Sequence, residues 1–383
     1  MSQMRESGSL LISREPLRRF TNLRSRVLLA LGAVLLTSCG LEIVFRVTGL
    51  RARYLPSRMD FLIPGETLDV RYASHGGVPF ATIRSRYASN MRGTLGTNRV
   101  VDHVLNSRGW RDVEHSVTKP ARTYRILGLG DSYLFGQGVE FREICLNRLG
   151  ELLAKQFPEQ TVEVINTGVS GYNTADELRL LEDCGLAYQP DLVILHFVLN
   201  DVEPDLTLHH DHQVEFFVNF TSIFQQPDWL SQHSELWGFL RQRTLESLTA
   251  RNYIHDCLRS FEEDSSKWEQ CRKAILEIRN RCQETKTPLF IVIFPFFYEL
   301  DRDYPFQPIH EVVHRFCETE AIPVLDLRDN YRQYRGPEMW VDASDPHPNA
   351  RAHAIAAQAI AADLLSRPQL FGLRSAGSST ATR

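Results

Sequence analysis

The sequence has no marked excess of charge of either sign. Its 43 Lys and Arg residues stand against 47 Asp and Glu residues, which gives a formal net charge of −4 over 383 residues. Dedicated nucleic-acid-binding proteins usually carry a strong basic excess, so this balance argues against a nucleic-acid partner. The sequence also lacks internal repeats. Its hydrophobic share of 43% is that of a globular protein and excludes disordered, collagen-like and coiled-coil classes.

Cysteines are sparse, with seven in a long chain, whereas disulfide scaffolds place them densely in short secreted chains. Several cysteines lie on apolar helical stripes, in which residues recur at spacings of three and four: Trp268, Cys271, Ile275, Ile278 and Cys282. We therefore expect mainly buried free thiols. One or two disulfides stay open as an alternative if the chain lies outside the cytoplasm.

One apolar segment is long enough to cross a membrane. Residues 1–26 carry six arginines and two glutamates, and an apolar run over residues 27–46 follows. That run covers roughly the 30 Å of a bilayer core, and the preceding arginines favour a cytoplasmic N-terminus. We expect a single-pass anchor with the remaining chain on the extracytoplasmic, periplasmic side. The alternative is a lipoprotein signal, because Leu36-Thr-Ser-Cys39 resembles a bacterial lipobox with Cys39 as the lipidated residue.

The rest of the chain divides into a lead-in and a regular α/β region. Residues 51–120 are predicted to form an irregular, partly β lead-in. Between residues 121 and 366, amphipathic helices alternate with apolar strands at 124–129, 161–166, 191–197, 288–294 and 323–326. This alternation predicts a three-layer α/β/α domain with a central, mainly parallel five-stranded sheet.

Two segments depart from the alternation. Residues 201–262 are predicted to be a helical insertion over the sheet edge. Its aromatic residues, among them Trp229 and Trp237, are expected to form a small core, with an apolar lid surface as the alternative. The cluster at 209–212 contains three histidines but matches no zinc signature, so we expect no metal. The tail at 367–383 is predicted to be disordered.

A glycine-flanked serine carries the strongest chemical signal. Gly128-Leu-Gly130-Asp131-Ser132 follows the first predicted strand and precedes a helix, at the sheet edge where ligands bind. A dinucleotide fingerprint needs a glycine where Tyr133 stands, and a P-loop needs a lysine that is missing. A serine at this place exposes its hydroxyl and backbone N–H to a ligand.

Four motifs in the right order resemble the blocks of the SGNH (GDSL-type) hydrolase family, over about residues 124–366. They are Gly130-Asp131-Ser132, Asn166-Thr-Gly168-Val-Ser-Gly171, Asn200-Asp201 and Asp345-Pro-His347-Pro-Asn349. The resemblance implies a flavodoxin-like SGNH fold without metal or cofactor. It also implies Ser132 as nucleophile, His347 as base, and an oxyanion hole formed by Ser132, Gly168 and Asn200.

Two positions differ from the family pattern. Val198 stands where the third block usually has glycine, and Ser344 stands three residues before His347, where the family has aspartate. Pro348 favours an extended conformation at His347, and in an extended segment residues two apart point the same way. Asp345 is therefore our third triad member in preference to Asp342.

These residues predict an esterase that acts through an acyl-enzyme. An imidazole held by a carboxylate activates the serine, and preorganised donors stabilise the oxyanion. The expected substrates are acylated small molecules or glycans of the envelope, including O-acetyl esters. Two alternatives stay open: an O-acyltransferase with the same triad, and a non-catalytic glycan-binding module.

Overall fold

The computed structural model describes residues 23–51, 58–62, 77–87, 95–96, 98–203 and 229–373. Several sequence-based expectations concern segments outside these ranges. They are most of the arginine-rich segment, the histidine cluster at 209–212, part of the helical insertion and the last ten residues of the tail.

An N-terminal helix, α1, spans Leu23–Thr48. Within the described part of the chain, Arg24–Thr48 is the one helical stretch long and apolar enough to cross a membrane. Its most apolar part has a mean hydropathy of 2.2 and contains no buried residue. In length and composition it agrees with the apolar span predicted at 27–46.

The lead-in contains a small antiparallel sheet. Its strands, in spatial order, are β1 (Arg58–Leu62), β2 (Thr82–Arg86) and β3 (Val100–Val104). Ion pairs cross between the strands, from Arg84 to Asp102 at 2.6 Å and from Arg86 to Asp60 at 2.8 Å. Apolar residues of the lead-in, Tyr87 among them, pack against residues of the α/β domain.

The central sheet has five parallel strands, and the predicted fold class is confirmed. The strands are β4 (Thr123–Gly130), β5 (Thr161–Asn166), β6 (Leu192–Val198), β7 (Leu289–Phe294) and β8 (Val324–Asp326), in the order β5-β4-β6-β7-β8. Every residue of β6 and β7 is buried, as expected of strands covered on both faces. The chain reverses direction across the sheet between β4 and β6, so the crevice at their carboxyl ends is the expected ligand site.

Helices cover both faces of this sheet. They are α2 (Ser132–Phe135), α3 (Cys145–Gln156), α4 (Thr174–Asp183), α5 (Trp229–His233), α6 (Glu235–Ser260), α7 (Ser266–Glu284), α8 (Gln307–Thr319), α9 (Arg328–Tyr331) and α10 (Ala350–Ser366). Helix α3 packs on α10, and α4 packs on α7. Right-handed crossovers that run in opposite directions along the sheet put α3 and α4 on opposite faces.

Local sequence signals explain several of these helices. The Ser265 hydroxyl caps α7 by accepting the Trp268 N–H, and the Asn349 side chain caps α10. The apolar stripe predicted on α7 is buried along its whole length. All seven cysteines are free, and five of them are buried.

Before α10 the chain forms a two-stranded antiparallel sheet of β9 (Trp340–Asp342) and β10 (Asp345–Pro348). β10 lies next to α2 and leads directly into α10. This ladder therefore holds the last of the four sequence motifs in an extended conformation.

Two expectations from the sequence are wrong. The tail does not begin at Arg367, since Pro368–Phe371 forms a 3-10 turn, and Phe371 is fully buried against Phe290 with a ring-centroid distance of 5.0 Å. Trp229 and Trp237 do not lie in a core, since they are 70% and 43% exposed. Burial of Phe371 extends the folded domain past α10, and helices α5 and α6 turn both indoles outward.

Replacement of Phe371 by alanine should destabilise the domain. Loss of a buried aromatic ring and the cavity it leaves lowers the free energy of unfolding by about 3–5 kcal/mol. Urea denaturation followed by circular dichroism measures this change. Leu370→Ala is the matched control, because Leu370 is 53% exposed and should change stability by less than about 0.5 kcal/mol. Equal effects of the two substitutions would show that the turn is not part of the folded domain.

Candidate active site

Ser132 is the first residue of α2 and follows β4 directly. Asp131 is the N-cap of α2, and its carboxylate accepts the Tyr133 N–H at 2.8 Å. A Cβ at Gly130 would come within 2.8 Å of Leu134 Cβ, so no side chain fits there. Helix α2 therefore lies directly on the strand end, and the half-buried Ser132 stands at the carboxyl edge of the sheet.

His347 connects Ser132 to Asp345. The imidazole Nε2 lies 3.0 Å from Ser132 Oγ, and Nδ1 lies 2.6 Å from Asp345 Oδ1. Asp345 and His347 both belong to the extended strand β10, so their side chains leave the same side of the strand. The structure thus brings serine, imidazole and carboxylate together. Asp342 accepts the Ser344 hydroxyl at 3.3 Å, and the contact to His347 Nδ1 comes from Asp345.

His347 and Asp345 shift each other's pKa in opposite directions. Burial would raise the pKa of Asp345, but the charge of His347 and its ring and backbone N–H groups bring this pKa below the usual range. Burial would likewise lower the pKa of His347, but the charge and hydrogen bond of Asp345 raise it above the usual value. The pair therefore favours an imidazolium, the form that a histidine takes when it acts as a general base.

Asp345 also accepts a hydrogen bond from Tyr87, which lies outside the α/β domain. The Tyr87 Oη donates to Asp345 Oδ2 at 2.9 Å, while Asp345 Oδ1 contacts the ring and backbone N–H of His347. The two residues Tyr87 and Asp345 are 258 positions apart. Tyr87 lies at the end of β2 in the lead-in, where no sequence motif marks it. For that reason the sequence motifs do not predict its contact with the site.

Two other lead-in residues hold the segment that follows α2. The buried Arg111 guanidinium donates to the carbonyls of Phe135, Gly136 and Val139. The His103 Nε2 accepts the Gly138 N–H at 3.1 Å, which requires the proton on Nδ1, where it faces the Ile83 carbonyl at 2.8 Å.

Burial, with the neighbouring Arg111 charge, lowers the pKa of His103 to about 3, so the ring is neutral and its tautomer is defined. Arg111 and His103 therefore tie the loop after Ser132 to the small antiparallel sheet.

The predicted oxyanion donors differ in their surroundings. Asn200 follows β6, and its Nδ2 donates to Asp131 Oδ2 at 3.1 Å, the same oxygen that lies 3.3 Å from Ser132 Oγ. A second hydrogen on Nδ2 stays available, since a side-chain amide carries two. The Gly168 N–H already donates to Asn166 Oδ1 at 2.9 Å, so it reaches an oxyanion only by sharing or exchanging that bond.

Gly168 also has a packing role. A Cβ at this position would lie 2.5 Å from the Phe135 backbone nitrogen. The loop after β5 therefore approaches α2 as closely as backbone allows, and that approach excludes any other residue.

Asp131 is a buried carboxyl group, as are Glu177 of α4 and Asp201 after β6. Burial, with the charges of neighbouring acids, raises the pKa of Glu177 and of Asp201 well above the usual range. Burial also raises the pKa of Asp131, against its hydrogen bonds from Tyr133 and Asn200. Burial therefore works against the charged forms of these three carboxyl groups.

Metal binding has no structural basis in the described ranges. No group of three or more His, Cys, Asp or Glu side chains in them is arranged to hold an ion. The described site consists of a serine, an imidazole, a carboxylate and hydrogen-bond donors, a set suited to acyl transfer.

Comparison with solved structures finds esterases at a low level of likeness. A two-domain esterase active on acetylated mannans, co-crystallised with mannopentaose, is 16% identical with a TM-score of 0.40, covering 66% of this chain and 51% of its own. An acetylxylan esterase from Geobacillus stearothermophilus, a catalytic mutant, is 14% identical with a TM-score of 0.40, covering 66% and 95%. The chain spans about half the length of the mannan esterase. These values assign no substrate to this chain.

Comparison with proteins of curated description finds no match. The model of the GDSL-like lipase/acylhydrolase family, in contrast, matches residues 129–355, more than half of the chain and all four motifs around Ser132. The chain therefore belongs to the GDSL-like lipase/acylhydrolase family.

Proposed function

We propose that this enzyme hydrolyses carboxylic esters through a covalent acyl-enzyme on Ser132, with His347 as the base and Asp345 as its partner. The observation that carries the proposal is the continuous chain of contacts at 3.0 Å and 2.6 Å through the imidazole. Catalytic serines require such a base, because a serine hydroxyl is a weak nucleophile until its proton is accepted.

In the first half of the reaction, Ser132 Oγ attacks the ester carbonyl carbon while His347 Nε2 accepts the hydroxyl proton. The π electron pair of the carbonyl moves to its oxygen and produces a tetrahedral oxyanion. When this intermediate collapses, the bond to the alcohol oxygen breaks, and His347 returns the proton to the departing alcohol. The acyl group then remains on Ser132.

In the second half, water attacks the acyl carbon and gives a proton to His347. Collapse of the new tetrahedral intermediate breaks the bond to Ser132 Oγ, which takes the proton back, and the carboxylic acid leaves. The Asn200 amide and the Ser132 N–H stabilise both oxyanions, with Gly168 as a third donor once its bond to Asn166 is shared. One such donor contributes about 3–4 kcal/mol to lowering the barrier.

We also propose where the enzyme works and on what. Helix α1 has the length and composition of a membrane span, and the arginines before it favour a cytoplasmic N-terminus. The catalytic domain then lies on the periplasmic side, where O-acetylated glycans of the envelope are the proposed substrates. The supporting observations are the helix and the family membership.

Substitution of Ser132 or His347 by alanine should abolish ester hydrolysis. Ser132 and His347 act together in the same proton transfer, so loss of either side chain should lower kcat by about 10⁴-fold or more. Turnover of a short-chain chromogenic ester by the full chain measures this loss, and a fluorophosphonate probe reports whether Ser132 is reactive.

Ser366→Ala is the control, since Ser366 is exposed at the end of α10. Labelling of a folded Ser132→Ala variant would contradict the assignment of the nucleophile. Labelling of Ser132 without hydrolysis would indicate transfer of the acyl group to a sugar hydroxyl in place of water.

Asp345→Asn should change both the rate and its pH dependence. Asp345 raises the pKa of His347, so the acidic limb of kcat/KM should have its midpoint above the ordinary histidine value of about 6.5. With asparagine this midpoint should fall to lower pH, and kcat should drop by up to about 10⁴-fold. Asp342→Asn is the matched variant and should leave the midpoint in place. A reversed result would make Asp342 the partner of His347.

Tyr87→Phe should weaken catalysis without loss of the fold. The substitution removes one hydrogen bond to a carboxylate, worth about 1.5 kcal/mol, or about 10-fold in kcat/KM. The less shielded Asp345 carboxylate then holds the His347 proton more tightly, so the acidic limb shifts to higher pH. Tyr334→Phe is the control, since the Tyr334 ring packs under Arg351. An unchanged pH profile in Tyr87→Phe would reduce Tyr87 to a packing residue.

A further inference from the structure

The outer half of α1 is joined to the start of α6 by an unusual cap. Glu42 is an acidic residue within the apolar helix α1, and its carboxylate accepts the backbone N–H of Glu235 at 3.0 Å and of Leu236 at 2.9 Å. It also accepts the Ser234 hydroxyl at 2.8 Å. A carboxylate at a helix N-terminus is favoured by unpaired N–H groups and by the helix dipole.

Further contacts reinforce this junction. The Phe45 and Phe239 rings meet edge-to-face at a centroid distance of 5.0 Å. Arg51 donates to the Ser231 carbonyl at 2.8 Å, and a Cβ at Gly238 would collide with the same guanidinium. Helices α5 and α6 are therefore held against α1 and the residues that follow it by a cap, an aromatic pair and a half-buried arginine contact.

Given the proposed anchoring by α1, on which this inference rests, the junction defines the level of α5 and α6 relative to a bilayer. With Val27 at the inner edge of the hydrocarbon, Glu42 lies about 22 Å further along the helix. The hydrocarbon core is about 30 Å thick, which places the start of α6 about 8 Å below its outer edge. Interfacial helices bury their apolar faces to about this depth.

Large apolar side chains of α5 and α6 near this junction point away from the protein. Trp229 and Leu230 of α5, and Trp237 and Leu240 of α6, are all exposed by more than two fifths of their surface. Two exposed indoles on neighbouring helices are uncommon on a surface that faces water. Tryptophan is enriched where a protein meets the headgroup region of a bilayer.

We propose that these four side chains, Trp229, Leu230, Trp237 and Leu240, form a lipid-contacting surface in the outer interface of the bilayer that α1 spans. Lipid is the partner because the surface is fixed beside a helix whose own apolar side chains, such as Val44 and Val47, are exposed. This contact gives the catalytic domain a second point of attachment and limits its rotation about α1.

The tryptophans supply the test, because the chain has five and none of them lies in α1. Trp110 and Trp268 are buried, and Trp340 donates its indole N–H to the Phe297 carbonyl. The full chain is reconstituted in phosphatidylcholine–phosphatidylglycerol vesicles that carry bromine at a shallow or a deep acyl position. Flotation of the vesicles first establishes whether α1 anchors the chain.

Shallow bromine should quench about two fifths of the tryptophan fluorescence, and deep bromine should quench less. The variant with both Trp229→Phe and Trp237→Phe keeps the surface apolar and should lose that quenching, whereas Trp340→Phe should keep it. If the chain floats with the vesicles but bromolipid does not quench its tryptophans, the proposal is wrong. This holds both when aqueous iodide quenches the indoles, which places them in water, and when it does not, which indicates that a protein segment shields them. Chain that fails to float would overturn the anchoring itself, with ester hydrolysis measured separately.

Discussion

The active site depends on how closely α2 approaches the end of β4. Gly130 lets the first turn of α2 rest on the strand, since a Cβ there would collide with Leu134. Gly168 lets the loop after β5 reach the same helix from the other side, within contact of the Phe135 backbone. These close approaches put Ser132 at the reversal point of a parallel sheet, where Asn200 and His347 converge on it from other segments.

The contacts around Ser132, His347 and Asp345 are not complete within the α/β domain. Tyr87, His103 and Arg111 all precede residue 129, where the match to the family begins. Tyr87 contacts the carboxylate that orients the imidazole, while Arg111 and His103 hold the backbone after Ser132. The small sheet between α1 and the α/β domain therefore acts as a support for the site. The contact of Tyr87 with Asp345 depends on how this sheet packs against the α/β domain.

Helix α6 contacts the N-terminal helix α1 at one end and residues close to the site at the other. Its first turn is capped by Glu42 of α1, while Tyr253 near its other end packs on Phe296 at a centroid distance of 5.9 Å. The next residue, Phe297, stacks on Tyr133, the neighbour of Ser132. Eighteen residues of helix between Glu235 and Tyr253 span about 27 Å. Helix α6 thus separates the junction with α1 from the candidate active site.

The sequence by itself determined the parallel sheet and the order of the four motifs, because apolar runs and helical stripes repeat over a few residues. It also indicated Asp345 in preference to Asp342, through Pro348 and the two-residue period of an extended segment. Four features came only from the tertiary structure. They are the hydrogen bond from Tyr87 to Asp345, the hydrogen bond from the Gly168 N–H to Asn166, the burial of the Phe371 ring, and the outward orientation of the Trp229 and Trp237 indoles. Tyr87 and Phe371 contact partners that lie far along the chain. The bond to Asn166 depends on a side-chain rotamer, and the exposure of the two indoles depends on how α5 and α6 dock. None of the four leaves a period or a motif in the sequence, because packing between separate elements decides them.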